Sequence, residues 1–346
     1  MSNTAVQNMN QAKSDLLGVK AGLIAQGVGV KGTPTSEYGA LVEGISGGGA
    51  SLIETFDIAL DGTLNKAESG INGEMIATIP TNVTALSNHA YQDDQIITDV
   101  HMPDSVISVG DGEYTWQTIG AFANCKNLEN VSFSSQLQRI ASAMFAKCVK
   151  LRDFEIPSTI REIGFAAFRG CKRLVNLTIP DNVTVLGGSA YMQCEGLKTV
   201  NIGSGISSIS ESAFMGCSSL ESINIPTNVT ILQSSAFEDC AELANVTIEQ
   251  GLTEIGDRAF TNCGLQNITI PDGCTSIGVA SFEGCELLSS VILPNSLEDI
   301  KDYAFNNCLV LNDIYFTGTQ TEWENIAIGD SAIPPRTTIH YEYTPS

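Results

Sequence analysis

The chain has 346 residues, of which 43% are hydrophobic and 16% charged. That leaves enough apolar side chain for a continuous core and excludes a disordered chain. Lys and Arg number 17 against 39 Asp and Glu, a formal charge of −22, which repels a phosphate backbone and excludes nucleic acid as a partner. No run reaches the roughly 18 apolar residues of a membrane-spanning helix. The start MSNTAVQNMNQAKSDLLG lacks the basic flank and apolar core of a secretion signal, so the expectation is a chain made in the cytoplasm, with no membrane insertion.

Residues 1–46 read as an α-helical attachment or oligomerisation segment. Met9, Ala12, Leu16, Val19 and Leu23 recur at three and four, the spacing of an amphipathic helix. A second short helical pattern, Tyr38, Leu41, Val42 and Ile45, follows a Pro-Thr-Ser opening suited to a cap. Between them GVGVKG satisfies G-x-G-x-x-G through Gly27, Gly29 and Gly32. A dinucleotide site needs a strand before that motif and a helix opening inside it; here a helical pattern precedes it and Pro34 follows, so it reads as a turn. Gly47, Gly48 and Gly49 break the chain, and 47–70 reads as a Gly-rich linker and N-terminal cap. Within it Phe56, Ile58 and Leu60 alternate as a strand does.

From there to residue 316 a unit repeats. An aromatic stands three residues before a cysteine in AFANC, AFRGC, AFMGC and AFEDC, and Cys125, Cys148, Cys171, Cys194, Cys217, Cys240 and Cys263 are 23 residues apart. The step to Cys285 is 22, because CGLQNI lacks one residue, and 23 returns at Cys308. Tyr91 and Asp94 mark a degraded copy, and an eight-residue excess around GDGEYTWQ separates it from the next. Such a period is the mark of a solenoid.

Each unit also carries a Leu after the Cys, an apolar-x-apolar triplet, often a Pro, and two further apolar residues three apart: Leu220, Ile223, Ile225, Pro226, Val229 and Leu232 in one copy. The triplet has the period of a half-buried strand, which predicts one short strand per repeat, eleven from Ala77 to Phe316, stacked in parallel. Proline after the strand marks where the chain turns away. The fold expected is therefore a repeat solenoid of about 23 residues per turn, with a short N-terminal helical segment and a C-terminal cap over 317–346. A solenoid end exposes apolar faces and needs such a cap.

The consensus Leu-x-x-Val-x-Ile-Pro-x-x-Val-x-x-Ile, closed by Ala-Phe-x-x-Cys, resembles the BspA-like branch of the leucine-rich repeat proteins over about residues 71–343. The tail TGTQTEWENIAIGDSAIPPRTTIHYEY resembles the segment that closes such arrays, with Trp323 and Tyr341 as anchors. The stretch KSDLLGVKAGLIAQGVGVKGTPTSEYGALVEGI is similar to short segments in tail and baseplate proteins of phages infecting Gram-positive bacteria.

Little in the repeats reads as chemistry. The cysteine period does not supply the short paired spacings of a zinc site, and stacked cysteines pointing one way fit disulfide geometry poorly. Cys274 falls where other copies have Val183, Ile206, Val229 or Leu252. All ten cysteines therefore read as buried free thiols. His89, His101 and His340 lie in different repeats or the cap, and the asymmetric constellation that catalysis requires is not expected. The N-x-S/T triplets, such as Asn176-Leu-Thr178, recur at fixed positions and read as strand and turn chemistry. No catalytic, cofactor or metal residue is assigned, and no cofactor is expected.

The outward strand positions are the candidate binding face: Ser132, Glu155, Thr178, Asn201, Asn224, Thr247 and Thr269, ending in Ile292 and Tyr315. Repeat proteins bind partners along such surfaces, and the apolar end is the expected contact. The function expected is a non-enzymatic binding protein displayed on a phage or prophage tail and recognising a host surface receptor, a protein or glycan. Residues 1–46 would then dock to tail components or form a homo-oligomer. The alternative is a BspA-like adhesin at the bacterial cell surface, binding host or partner-cell proteins.

Overall fold

A computed structural model describes residues 39–43, 53–58, 63–68, 76–114 and 118–344. The first helical pattern, the glycine-rich turn at 27–32 and the triple glycine lie outside these residues. The second helical pattern is corrected. Gly39–Glu43 is a strand, paired antiparallel with Ile53–Ile58. Consecutive Leu41 and Val42 satisfy a strand as well as a helix, and pairing with a neighbour decides between them. Ile53–Ile58 in turn pairs antiparallel with Thr63–Glu68, which joins the array in parallel at Ala85–Leu86. These strands extend the array at its N-terminal end.

From residue 76 the chain winds as a parallel solenoid. The expected strand recurs in nearly every coil, as in Asn176–Ile179, Thr199–Ile202, Ser222–Ile225 and Asn245–Ile248, which pair in register. Its alternation follows the sequence: Ile223 and Ile225 are buried while Ser222 and Asn224 face out. Prolines end the strands as expected, since Pro80, Pro180 and Pro226 each accept a bond from the amide three residues on, at 3.0 Å.

A second ladder was not expected. Two-residue strands such as Glu162–Ile163, Ile231–Leu232 and Asp299–Ile300 stack on another side of the coil, each pointing its second residue inward. A two-residue strand has no period to read, so the apolar pairs three apart signalled burial without signalling a sheet.

The third side is a column of turns around the aromatic. Rings from Tyr91 through Phe122, Phe145 and Phe168 to Phe305 stack face to face, with neighbouring planes within 12° and, between Phe122 and Phe145, centroids 5.3 Å apart. The backbone two residues before and two after the aromatic is left-handed: Ala143 at φ 51° and Lys147 at 64° flank Phe145. That conformation strains a residue with a Cβ. In return Ala143, Phe145 and Lys147 each donate their amide to the next coil, to Phe165, Ala167 and Arg169. Glycine takes the later position at Gly170, Gly216 and Gly284, all near φ +70°.

The cysteine has a definite place in this column. The Cys148 thiol donates to the Phe122 carbonyl at 3.1 Å, Cys171 to Phe145 and Cys217 to Tyr191 at 3.3 Å. All ten cysteines are free and buried. Cys274 differs as expected: it is buried in the aliphatic slot, and its nearest acceptor is the Ser276 carbonyl at 3.6 Å.

The extra residues before Phe122 form a hairpin, Glu113–Tyr114 against Thr118–Ile119. Its Tyr114 ring carries the Arg169 guanidinium at 4.0 Å and the Lys147 ammonium at 5.3 Å. At the other end a single helical turn, Gln320–Trp323, opens on a Thr319 and Glu322 capping box. Trp323 is buried edge-on against Phe316 at 5.2 Å, as expected of a cap anchor. Tyr341 is 37% exposed and anchors nothing; that role falls to Tyr343, whose ring tilts over Tyr315.

Candidate binding face

The candidate positions Ser132, Glu155, Thr178, Asn201, Asn224, Thr247 and Thr269 are all exposed on the same side of the solenoid. Thr178 pairs with Asn201, Asn224 with Thr247, and Thr269 with Ile292 across neighbouring strands. Ladder bonding puts successive side chains about 4.8 Å apart, so small polar groups line up in a row. Asn201 donates to Thr178 at 3.5 Å and Asn224 to Glu249 at 2.8 Å.

A second outward row runs beside the first and was not among the candidate positions. Asn130, Asn176, Thr199, Ser222, Asn245 and Asn267 sit two residues earlier on their strands and are also exposed. The signal was present, because a strand period of two places both positions on one face. The apolar triplet drew attention past it. This row is tied coil to coil: Thr199 donates to Asn176 at 2.7 Å, and Asn130 donates to Asp99 at 2.7 Å.

Two places on the face depart from expectation. Residues 151–157 form no strand. The Asp153 carboxylate accepts the Val175 amide at 2.6 Å, the Asn176 amide at 3.1 Å and the Asn176 side chain at 2.8 Å. A side chain thus takes the amides that a strand carbonyl takes elsewhere, and the ladder is interrupted. Phe154 turns its ring onto Phe168 at 4.8 Å and edge-on to Phe133 at 5.7 Å. The break leaves a shallow depression lined by Asp153, Phe154, Glu155, Ile156, Asn176, Thr178 and Pro180. An apolar floor rimmed by carboxylates, amide and hydroxyl therefore lies at the second and third positions of the predicted row.

The second departure is the apolar end. Ile292 and Tyr315 are half-buried rather than open. Tyr315 stacks on His340 at 4.8 Å and meets Tyr343 at the same distance, while His340 is held by Asp313 at 2.7 Å. The cap covers the end expected to make contact, because an apolar strand face at an array terminus must be shielded.

The histidines lie on or near the surface. His101 Nδ1 lies 2.7 Å from Oγ of Ser132, a repeating outward position. That pair sits on an exposed strand face, and the His89 ring meets Asn88, at 2.6 Å. Among the described residues no group of His, Cys, Asp and Glu is placed to hold a metal ion, and no helix is long and apolar enough to cross a membrane.

The family model for the BspA type Leucine rich repeat region, in six copies, matches residues 113–221 and 207–333. The chain belongs to the BspA-type leucine-rich repeat family. A leucine-rich repeat protein from Bacteroides ovatus ATCC 8483 shares the fold, with a TM-score of 0.64 and 23% identity over 90% of this chain and 79% of that one. A leucine rich cell surface protein from Faecalibacterium prausnitzii A2-165 aligns at 23% identity over 86% of this chain and 99% of that one, with a TM-score of 0.42. No curated protein matches the chain. The family match begins at the inserted hairpin and lends no support to the resemblance to phage tail and baseplate proteins, which rests on the segment before residue 47.

Proposed function

We propose that this BspA-type protein is a non-enzymatic adhesin, binding a protein or glycan on a host or neighbouring cell through the two outward polar rows. The observation that carries the reading is the depression at the ladder break. Phe154 supplies an apolar floor, and Asp153, Glu155, Asn176 and Thr178 supply convergent polar groups, the mixture that gives a binding site both affinity and orientation. Elsewhere the rows are small, polar and regularly spaced, which suits an extended contact. The adhesin reading is preferred over tail display because the family resemblance carries it, whereas the tail reading rests on a short segment outside the repeats.

The test is binding of the full chain to an array of purified cell-surface proteins and glycans. Asn176→Lys with Thr178→Lys places two long cations at the depression and should weaken the strongest contact at least about tenfold, the effect of about 1.4 kcal/mol. Ser207→Lys, exposed beside the second ladder on a different side of the coil, should leave it intact. Equal loss from both variants, or from neither, moves the site off this face.

A further inference from the structure

The overall charge conceals a sharp division along the array. Residues 126–173 hold nine Lys and Arg against four Asp and Glu, a net of +5, leaving −27 for the rest of a chain whose total is −22. The division is sharpest on the corner formed by the five residues after each column aromatic. In the Phe122, Phe145 and Phe168 coils the charged residues there are Lys126, Lys147, Lys150, Arg169, Lys172 and Arg173. From the Tyr191 coil to the Phe282 coil they are Glu195, Glu238, Asp239, Glu242, Glu283 and Glu286. One edge therefore carries six cations followed by six anions. In the Tyr191 and Phe214 coils the corner mixes small residues, Gly196, Gly216, Ser218 and Ser219, with Met192, Gln193 and Met215.

Most of these charges are turned outward: Lys126, Lys172, Arg173, Glu195, Asp239, Glu242 and Glu286 are exposed. Only Lys172, of the six cations, is in an ion pair among the described residues, with Glu195 at 2.6 Å where the two halves meet. Lys147 and Arg169 hold Tyr114 of the hairpin, which borders the corner without taking a charge from it.

We propose that this edge docks against the same edge of a second copy, antiparallel, about a two-fold axis between the Tyr191 and Phe214 coils. That axis sets Arg169, Lys172 and Arg173 opposite Glu238, Asp239 and Glu242 of the other copy. It also sets Lys126 opposite Glu283 and Glu286. The same patch serves both copies, as an isologous contact requires. A long polyanion fits less well, because the acidic coils downstream, and Asp93 and Asp94 upstream on the same corner, would repel it. The inference does not depend on the binding-face reading, since the corner and the face are different sides of the coil.

Sedimentation of the full chain at about 100 μM in low salt should show a dimer, and about 0.5 M NaCl should weaken its Kd at least about tenfold. Lys126→Glu, Lys172→Glu, Arg173→Glu turns the Phe122 and Phe168 coils acidic at this corner while Lys147, Lys150 and Arg169 stay in place, and Glu238→Lys, Glu242→Lys, Glu286→Lys turns the Phe237 coil basic and neutralises the Phe282 coil. Each triple variant should be monomeric alone, and an equimolar mixture should recover the dimer, which also shows that both fold. A monomeric wild type, a dimer that neither variant disturbs, or a mixture that stays monomeric overturns the proposal. If the wild type is monomeric yet retained on heparin, and the acidic variant is not, the basic coils take an anionic polymer instead.

Discussion

Each cysteine thiol in the column donates to the carbonyl of the aromatic one coil back, at 3.0 to 3.3 Å along the series. The residue is chosen as a small apolar group with one weak donor, placed where a buried carbonyl would otherwise have a lone pair to spare. Burial pushes the Cys194 and Cys308 thiols up to about 12 and Cys274 to about 11. Almost no thiolate is present near neutrality, so the column is chemically quiet. A thiol reagent at pH 8 should label few of the ten in the native chain and all ten in guanidinium chloride; fast native labelling would refute the column. Tyr191 interrupts the run of phenylalanines between Phe122 and Phe305. It lies between Phe168 and Phe214 at 5.2 and 5.7 Å, and its hydroxyl is buried with no hydrogen-bond partner among the described residues. Tyr191→Phe should therefore raise stability by about 1 kcal/mol, whereas Phe214→Ala should lower it by about 3 to 5 kcal/mol. Urea melts of the two variants read both effects.

At the scale of the element, the ladder break is the feature with consequences. Asp153 stands where other copies have Asn176, Ser222 or Asn245, and only a carboxylate can take two amides and a carboxamide together. Asp153→Ala leaves the Val175 and Asn176 amides without that acceptor and should cost about 1 to 3 kcal/mol. Asp153→Asn should recover part of the loss. Hydrogen exchange at Val175 and Asn176 would localise the change. The main strand of each coil was legible because an apolar-polar-apolar triplet has a period. The break was not, because a carboxylate one residue before that triplet looks like any outward polar residue until the facing amides are in place. The short second ladder and the strand at Gly39–Glu43 escaped for related reasons: two residues carry no period, and a brief apolar pair fits either conformation until it meets a partner.

For the whole molecule, pH acts through carboxylates that hold coils together. Asp104 and Asp181 accept bonds from the backbone and side chains of Ser135 and Ser204, one coil or more away, and these bonds hold both below the ordinary 3.8. Burial pushes Asp111 up, but Arg139 and the Ser142 amide outweigh it and it too is lowered. A carboxylate depressed in the folded state stabilises above its unfolded value and loses that contribution as pH falls through the folded one. Urea midpoints should therefore drop as pH falls below about 4, and Asp111→Asn should shrink the drop. Midpoints that hold steady below that pH would show that these bonds do not tie the coils.

The sequence by itself determined the solenoid, its register, its buried cysteines and the side on which the first polar row faces out. These follow from periods of 23 and 2, and a period is a statement about neighbours along the chain. Tertiary structure alone decided that a depression opens at Asp153, that the cap covers Ile292 and Tyr315, and that Tyr114 reaches Lys147 and Arg169. It also decided that the charged residues gather on one corner as a basic stretch and an acidic stretch. Each of these depends on which side of the coil a residue occupies and on what stands beside it from other coils, and stacking sets both.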